Sequence, residues 1–176
     1  MNKVWTDGSC KGNPGPGGWG VVFEDGREFS GKMQGTTTNN RAELTAIIEA
    51  VKRIPNQVPY TLYSDSQWSI NVVTRQWRAT QNLDLVRDCQ SAMLGKIISF
   101  QWVKGHSGDP NNEKADKLAS EAVRGRTVAR EVEDVAIPEG IYTVVCGNRG
   151  SLRITEGEYK GRIVGIHPAF VRKDKS

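Results

Sequence analysis

Apolar and polar residues alternate in short runs over the first part of the chain. Val4-Trp5-Thr6 reads as a strand ending at Asp7-Gly8, and Trp19 to Phe23 and Glu28 to Met33 read as two more around the turn Asp25-Gly26. The stretch from Lys11 to Gly20 is crowded with Gly and Pro and reads as a turn or loop. The period then becomes helical. Leu44, Ile47, Ile48 and Val51 fall on one face of a helix that Asn40 can cap and Pro55 stops. Tyr60 to Ser64 returns to strand. Trp68, Ile70 and Val73 then suggest a short helix, Leu83 to about Leu94 a longer one, and Ile97 to Val103 a further strand. Asp109-Pro110 opens the last helix with a capping carboxylate and a proline at the first position. Ala115, Leu118, Ala119 and Ala122 form that helix's buried stripe.

This order predicts an α/β domain over residues 1–125, a mixed five-stranded sheet flanked by helices. Residues 126–136 are charged and read as a linker or a helix extension. From Ile137 to Phe170 the pattern changes to Ile-Tyr-Thr-Val-Val, Ser-Leu-Arg-Ile and Arg-Ile-Val-Gly-Ile, divided by Gly-rich turns. A small β unit of three or four strands is expected within 137–176.

Composition narrows the class. An apolar content of 37% in 176 residues supplies a core and excludes a fully disordered chain. No run approaches the roughly 20 apolar residues that span a bilayer, so no membrane partner is expected. The N-terminus runs directly into a strand pattern without a signal-peptide design, which points to a cytoplasmic, free-standing protein. A monomer is expected. The three cysteines, Cys10, Cys89 and Cys146, form no CxxC pair, which disfavours zinc and fits a reduced compartment. The net charge of +4 is spread evenly, with 15 basic against 13 acidic residues up to position 125 and 9 against 7 after it. That permits a polyanionic partner without demanding one.

Four acids stand where side chains can converge. Asp7 and Asp65 end strands, Glu43 lies in the first turn of a helix, and Asp116 lies on the last helix. Strand ends beside helix starts are where sites are built in α/β sheets. Each acid also has an ordinary explanation: a turn pair at Asp7-Gly8, a capping-box acid at Glu43, a cap at Asp65, a solvated charge at Asp116. His106, in Lys104-Gly105-His106-Ser107-Gly108, is unremarkable alone.

Taken together the segments point further. They are Thr6-Asp7-Gly8-Ser9, Gly12-Asn13-Pro14-Gly15-Pro16-Gly17-Gly18, Thr38-Asn39-Asn40-Arg41-Ala42-Glu43-Leu44, Ser64-Asp65-Ser66-Gln67, Trp102 to Gly108, and Asn112-Glu113-Lys114-Ala115-Asp116-Lys117-Leu118-Ala119. In this order and spacing, over roughly residues 1–123, the chain resembles type 1 ribonuclease H. The resemblance implies a ribonuclease H-like sheet and hydrolysis of the RNA strand of an RNA–DNA hybrid, with 5′-phosphate and 3′-hydroxyl ends. It implies that Asp7, Glu43, Asp65 and Asp116 bind metal and that His106 is a mobile catalytic histidine. Carboxylates suit Mg²⁺, with Mn²⁺ as a substitute. Two ions about 4 Å apart would clamp an in-line displacement at phosphorus. A non-catalytic binder would be expected to lose one of the acids. DNA resolvases, integrases and 3′-exonucleases lack this Lys-Gly-His loop and Asn-Asn-Arg-Ala-Glu segment.

The resemblance also places Cys10, Asn13, Asn39, Asn40 and Gln67 along the hybrid-binding surface, where the 2′-hydroxyl marks RNA. One departure stands out. Many relatives carry a long, basic, Trp-rich protrusion, whereas Thr74 to Asn82 here is short and holds two basic residues, Arg75 and Arg78. The C-terminal unit either compensates, with Arg149, Arg153, Lys160, Arg162, Arg172 and Lys173 as phosphate contacts, or is a stabilising or protein-binding appendage.

Overall fold

The computed structural model describes residues 2–130 and the backbone of three short strands beyond them. By internal contact the chain divides into two compact units, Met1–Val132 and Glu133–Ser176.

The first unit is a six-stranded mixed sheet with helices on both faces. Its strands are β1 (Asn2–Cys10), β2 (Gly17–Phe23), β3 (Glu28–Lys32), β4 (Pro59–Ser64), β5 (Ile97–Trp102) and β6 (Ala129–Arg130), in the spatial order β5-β4-β1-β2-β3-β6. The helices are α1 (Asn39–Arg53), α2 (Gln67–Val73), α3 (Leu83–Ala92) and α4 (Pro110–Val123). Alternation along β1 assigns the faces. Val4 points into the larger core with Leu44, Ile47, Val51, Leu62, Val73 and Val86, and Trp5 points to the other side with Val22, Ala115 and Leu118. Trp5 stacks on Tyr63 there, ring centroids 5.1 Å apart. Among the described residues no helix is long and apolar enough to cross a membrane.

The sheet has six strands where the sequence predicts five, because Ala129–Arg130 lies within the segment expected to be linker or helix extension. Two residues are too few to show a strand period. Pairing with β3 makes the strand: Phe29 faces Ala129 and Glu28 faces Arg130. The Arg130 guanidinium donates to Glu28 at 3.3 Å, and the Val128 N–H donates to Ser30 Oγ at 2.9 Å. Glu28 is buried and also accepts from Lys114 Nζ of α4 at 2.7 Å.

Two expectations about α1 also change. Its cap is Thr38, whose Oγ1 accepts from the Arg41 N–H at 3.4 Å, and not Asn40, which lies inside the first turn. Glu43 is therefore the fifth helical residue and not a capping-box acid. Asp109 caps α4 as its sequence predicts, accepting from the Asn111 and Asn112 N–H groups at 3.0 and 3.1 Å.

In the second unit, β7 (Val144–Cys146), β8 (Ser151–Ile154) and β9 (Ile163–Gly165) form an antiparallel sheet in the order β7-β8-β9. Cationic side chains proposed there lie outside the residues whose side chains are described.

Candidate active site

Strand register creates the site. β1 runs parallel to β4 from Asn2 opposite Tyr60 to Thr6 opposite Ser64, and β4 runs parallel to β5 until Ser64 opposite Trp102. One residue later the strands part. β4 turns into α2 at Asp65, while β1 continues to Cys10 by antiparallel pairing with β2, Asp7 opposite Gly20. Asp7 is thus inside a strand, although the sequence suggests a strand end, and it flanks Asp65 where the parallel ladder stops. Crevices at the carboxyl ends of parallel strands collect functional groups for this reason.

Two glycines bring helices to the same point. A Cβ on Gly8 would lie 2.2 Å from the Glu43 amide nitrogen, so only glycine lets α1 rest directly on β1 and set Glu43 beside Asp7. A Cβ on Gly20 would lie 2.3 Å from the Ala115 carbonyl oxygen, which holds α4 and its next residue, Asp116, against β2.

The outcome is one cluster. Asp7, Glu43 and Asp65 each offer a carboxylate oxygen within 4.8 Å of the others. Asp116 lies outside that group, but its charge is felt by all three. Asp7 and Glu43 are each 5% exposed, and Glu43 Oε2 is buried without a hydrogen-bond partner. Burial, then the neighbouring Asp65 and Asp116 carboxylates, push the Asp7 carboxyl up to about 8. Burial and Asp7 likewise hold Glu43 well above the ordinary carboxyl range, against a hydrogen bond from the Gly8 backbone. Asp65 is raised too, chiefly by burial.

His106 is 82% exposed and adopts a left-handed backbone, φ 52°, in the loop before α4. Its Nδ1 stands 3.9 Å from Asp116 Oδ2. Of the predicted substrate residues, Cys10, Asn13 and Asn39 meet on one surface. The Cys10 thiol donates to the Thr37 carbonyl at 3.3 Å, and Asn13 Oδ1 accepts from the Asn39 N–H at 3.0 Å, tying the Gly-rich loop to the start of α1. Asn40 and Gln67 are exposed in the first turns of α1 and α2. Trp102, Gly8 and Gly105 stand in the segments that carry the resemblance, but the sequence assigns them no part in the site, and Gly20 stands in none of those segments. Alternation of small residues with apolar ones in β2 was the available signal for Gly20.

The RNase H family model matches residues 2–124. The chain belongs to the RNase H family. It is 42% identical over 138 residues to the ribonuclease H of Polaromonas naphthalenivorans, covering 68% of this chain and 85% of that one. Among solved structures it resembles LC9-RNase H1, described as a type 1 RNase H with the type 2 active-site motif, at a TM-score of 0.63 and 28% identity, over 77% of this chain and 80% of that one. RNase H1 of the halophilic archaeon Halobacterium salinarum matches at a TM-score of 0.57 and 31% identity, over 71% and 98%. The protein is a ribonuclease H, a hydrolase of the RNA strand of RNA–DNA hybrids. The matched family segment ends at the last turn of α4, so β6 and the second unit lie beyond it.

Proposed function

We propose that this ribonuclease H cuts hybrid with two divalent ions, Mg²⁺ with Mn²⁺ as a substitute, held by Asp7, Glu43, Asp65 and Asp116. The observation that carries this reading is the Glu43 carboxylate, buried, with one oxygen lacking any partner and two further carboxylates within 4.8 Å. Such an arrangement is costly without a cation. The donors are all carboxylate oxygens, the set a hard cation takes. When bound, the ions supply charge neutralisation at phosphorus and an acidified water.

The chain's own groups do the rest. Asp7 and Glu43 form the rigid floor, fixed by β1 and α1 through the contact at Gly8. Asp65 and Asp116 flank it from a turn and a helix. The exposed His106 imidazole, 3.9 Å from Asp116 Oδ2, is placed to pass a proton as the RNA strand is cut, leaving 5′-phosphate and 3′-hydroxyl ends. Cys10, Asn13, Asn39, Asn40 and Gln67 line the approach of the hybrid, Asn13 by holding the Gly-rich loop to α1.

The experiment is cleavage of labelled hybrid against duplex DNA and duplex RNA, with Mg²⁺, Mn²⁺ or chelator. Hybrid-only cleavage that chelator abolishes is expected, and equal cleavage of duplex DNA would overturn the substrate. In the same assay His106→Ala should slow turnover by about 10²–10⁴-fold, the usual weight of an auxiliary proton-transfer group. A loss as complete as that of a metal ligand would give His106 a more central role.

The short Thr74–Asn82 segment leaves little cationic grip, and the second unit is proposed to supply it through phosphate contacts. Neutralising Arg149, Arg153 and Arg162 together in the full chain should raise KM for hybrid far more than it lowers kcat, the sign of lost uniform binding. The dependence of log affinity on log salt should flatten by about 0.9 per lost contact, the B-DNA value. Unchanged KM and salt slope would leave the unit as a packing element or a protein-docking one.

A further inference from the structure

Trp102 ends the edge strand β5 and its side chain is 48% exposed, so burial alone does not account for its placement. Its indole Nε1 donates to the backbone carbonyl of Asp65 at 3.0 Å. The same carbonyl accepts from the Gln67 N–H at 3.1 Å, and the Val103 N–H donates to the Ser64 carbonyl at 3.1 Å. The Asp65 carbonyl is therefore gripped twice, once by its own turn and once across the sheet edge. Three residues past Trp102 the loop returns to Asp65 from another side: a Cβ on Gly105 would stand 2.5 Å from Asp65 Oδ2. His106 follows directly. The segment that carries the histidine thus leaves the sheet at the residue that bonds Asp65, then packs on the Asp65 carboxylate before His106.

We propose that Trp102 is a positioning residue. Its indole N–H, through the Asp65 carbonyl, sets where the Asp65 carboxylate stands among Asp7 and Glu43 and seats the His106 loop against it. This rests on the reading of Asp65 as a metal ligand. Indole nitrogen is a donor only, so phenylalanine removes the bond and keeps an aromatic ring. Partners that orient metal ligands are worth about 10- to 100-fold in metal affinity or activity. Trp102 acts on the peptide and not on the carboxylate itself, which places it at the lower end, about 10-fold.

The test uses the full chain as wild type, Trp102→Phe, Gly105→Ala and Asp65→Asn. Mg²⁺ alone is titrated without hybrid, reading the rise in thermal midpoint, and kcat and KM for hybrid are then measured. Trp102→Phe should need about 10-fold more Mg²⁺ to reach half of the thermal rise, with kcat at limiting Mg²⁺ falling in parallel and KM unchanged. Gly105→Ala, which presses a methyl group onto the same carboxylate, should move the Mg²⁺ midpoint the same way and shows that the midpoint reads the Asp65 position, while Trp102→Tyr, which also lacks the indole N–H, carries the test if Trp102→Phe does not fold. A wild-type Mg²⁺ midpoint in Trp102→Phe, where Asp65→Asn has lost the Mg²⁺ response, overturns the positioning role and leaves the metal reading intact. A raised KM at an unchanged Mg²⁺ midpoint also overturns it, making Trp102 a hybrid contact. An undiminished Mg²⁺ response in Asp65→Asn overturns the metal reading itself.

Discussion

Asp7→Asn is expected to reduce hybrid cleavage to background while leaving the fold intact. Asp7 is the acid from which the cluster is organised: it is buried, stands within 4.8 Å of Glu43 and Asp65, and feels the Asp116 charge. An amide keeps the shape and removes the charge that would hold a cation at the proposed site. The same change should stabilise the metal-free protein, and the pH dependence is the signature. The folded Asp7 carboxyl is raised to about 8 from an ordinary value of 3.8. Between those values the folded state keeps a proton that the unfolded chain releases. Stability is therefore fully present below the ordinary value and is lost as pH climbs through the window. Asparagine does not titrate, so the variant escapes this loss. Urea unfolding in chelator should show near-equal stability at pH 4. By pH 8 the variant should lead by on the order of a few kcal/mol. Mg²⁺ should close the gap by stabilising only the wild type. Wild-type-like cleavage by Asp7→Asn would sink the metal assignment, and a pH-independent stability difference would sink the account of repulsion.

Gly8→Ala should have the second largest effect, from one methyl group on a residue with no side chain of its own. A Cβ there meets the Glu43 amide nitrogen at 2.2 Å, the Ala42 carbonyl carbon at 2.3 Å and the Glu43 Cα at 2.6 Å, all of them backbone. No rotamer can relieve that, so α1 must lift from β1. Overpacking of a well-packed core costs about 1–3 kcal/mol and occasionally more, and a backbone-on-backbone clash belongs at the upper end. The lift also separates Glu43 from Asp7. Cleavage should therefore fall even where the variant remains folded, and saturating Mg²⁺ should restore only part of it. Urea unfolding and a Mg²⁺-dependent rate measurement on the same sample test both halves. A stability within 0.5 kcal/mol of wild type, the usual range for a neutral surface change, would show that the close approach is not what glycine serves here.

Much of this was legible in the sequence. The helical period at Leu44, Ile47, Ile48 and Val51 and the Asp109-Pro110 start gave the covering helices, since local pattern and capping chemistry act within a turn or two. The acids were legible through motif resemblance, and three of them meet in the structure with Asp116 beside them. What escaped was long-range. β6 has no period of its own and is made by pairing with β3. Thr38 rather than Asn40 caps α1 because backbone conformation decides among nearby residues that could cap, and Thr38 is extended where Asn40 is already helical. Trp102 reaches Asp65 across 37 positions of sequence, through a register that only the assembled sheet defines.

β6 sets where the catalytic unit can be cut. A fragment ending at residue 125, where the family segment has already finished, would strip β3 of its outer neighbour and leave its N–H and C=O groups as an open edge. Exposed edges of this kind template pairing between molecules. The same cut would take Arg130 from the buried Glu28, leaving Lys114 as its remaining cationic partner, and would unpair Ser30 Oγ from Val128. A fragment that keeps β3 paired and Glu28 fully partnered should therefore run past Arg130, to the end of the compact unit at Val132.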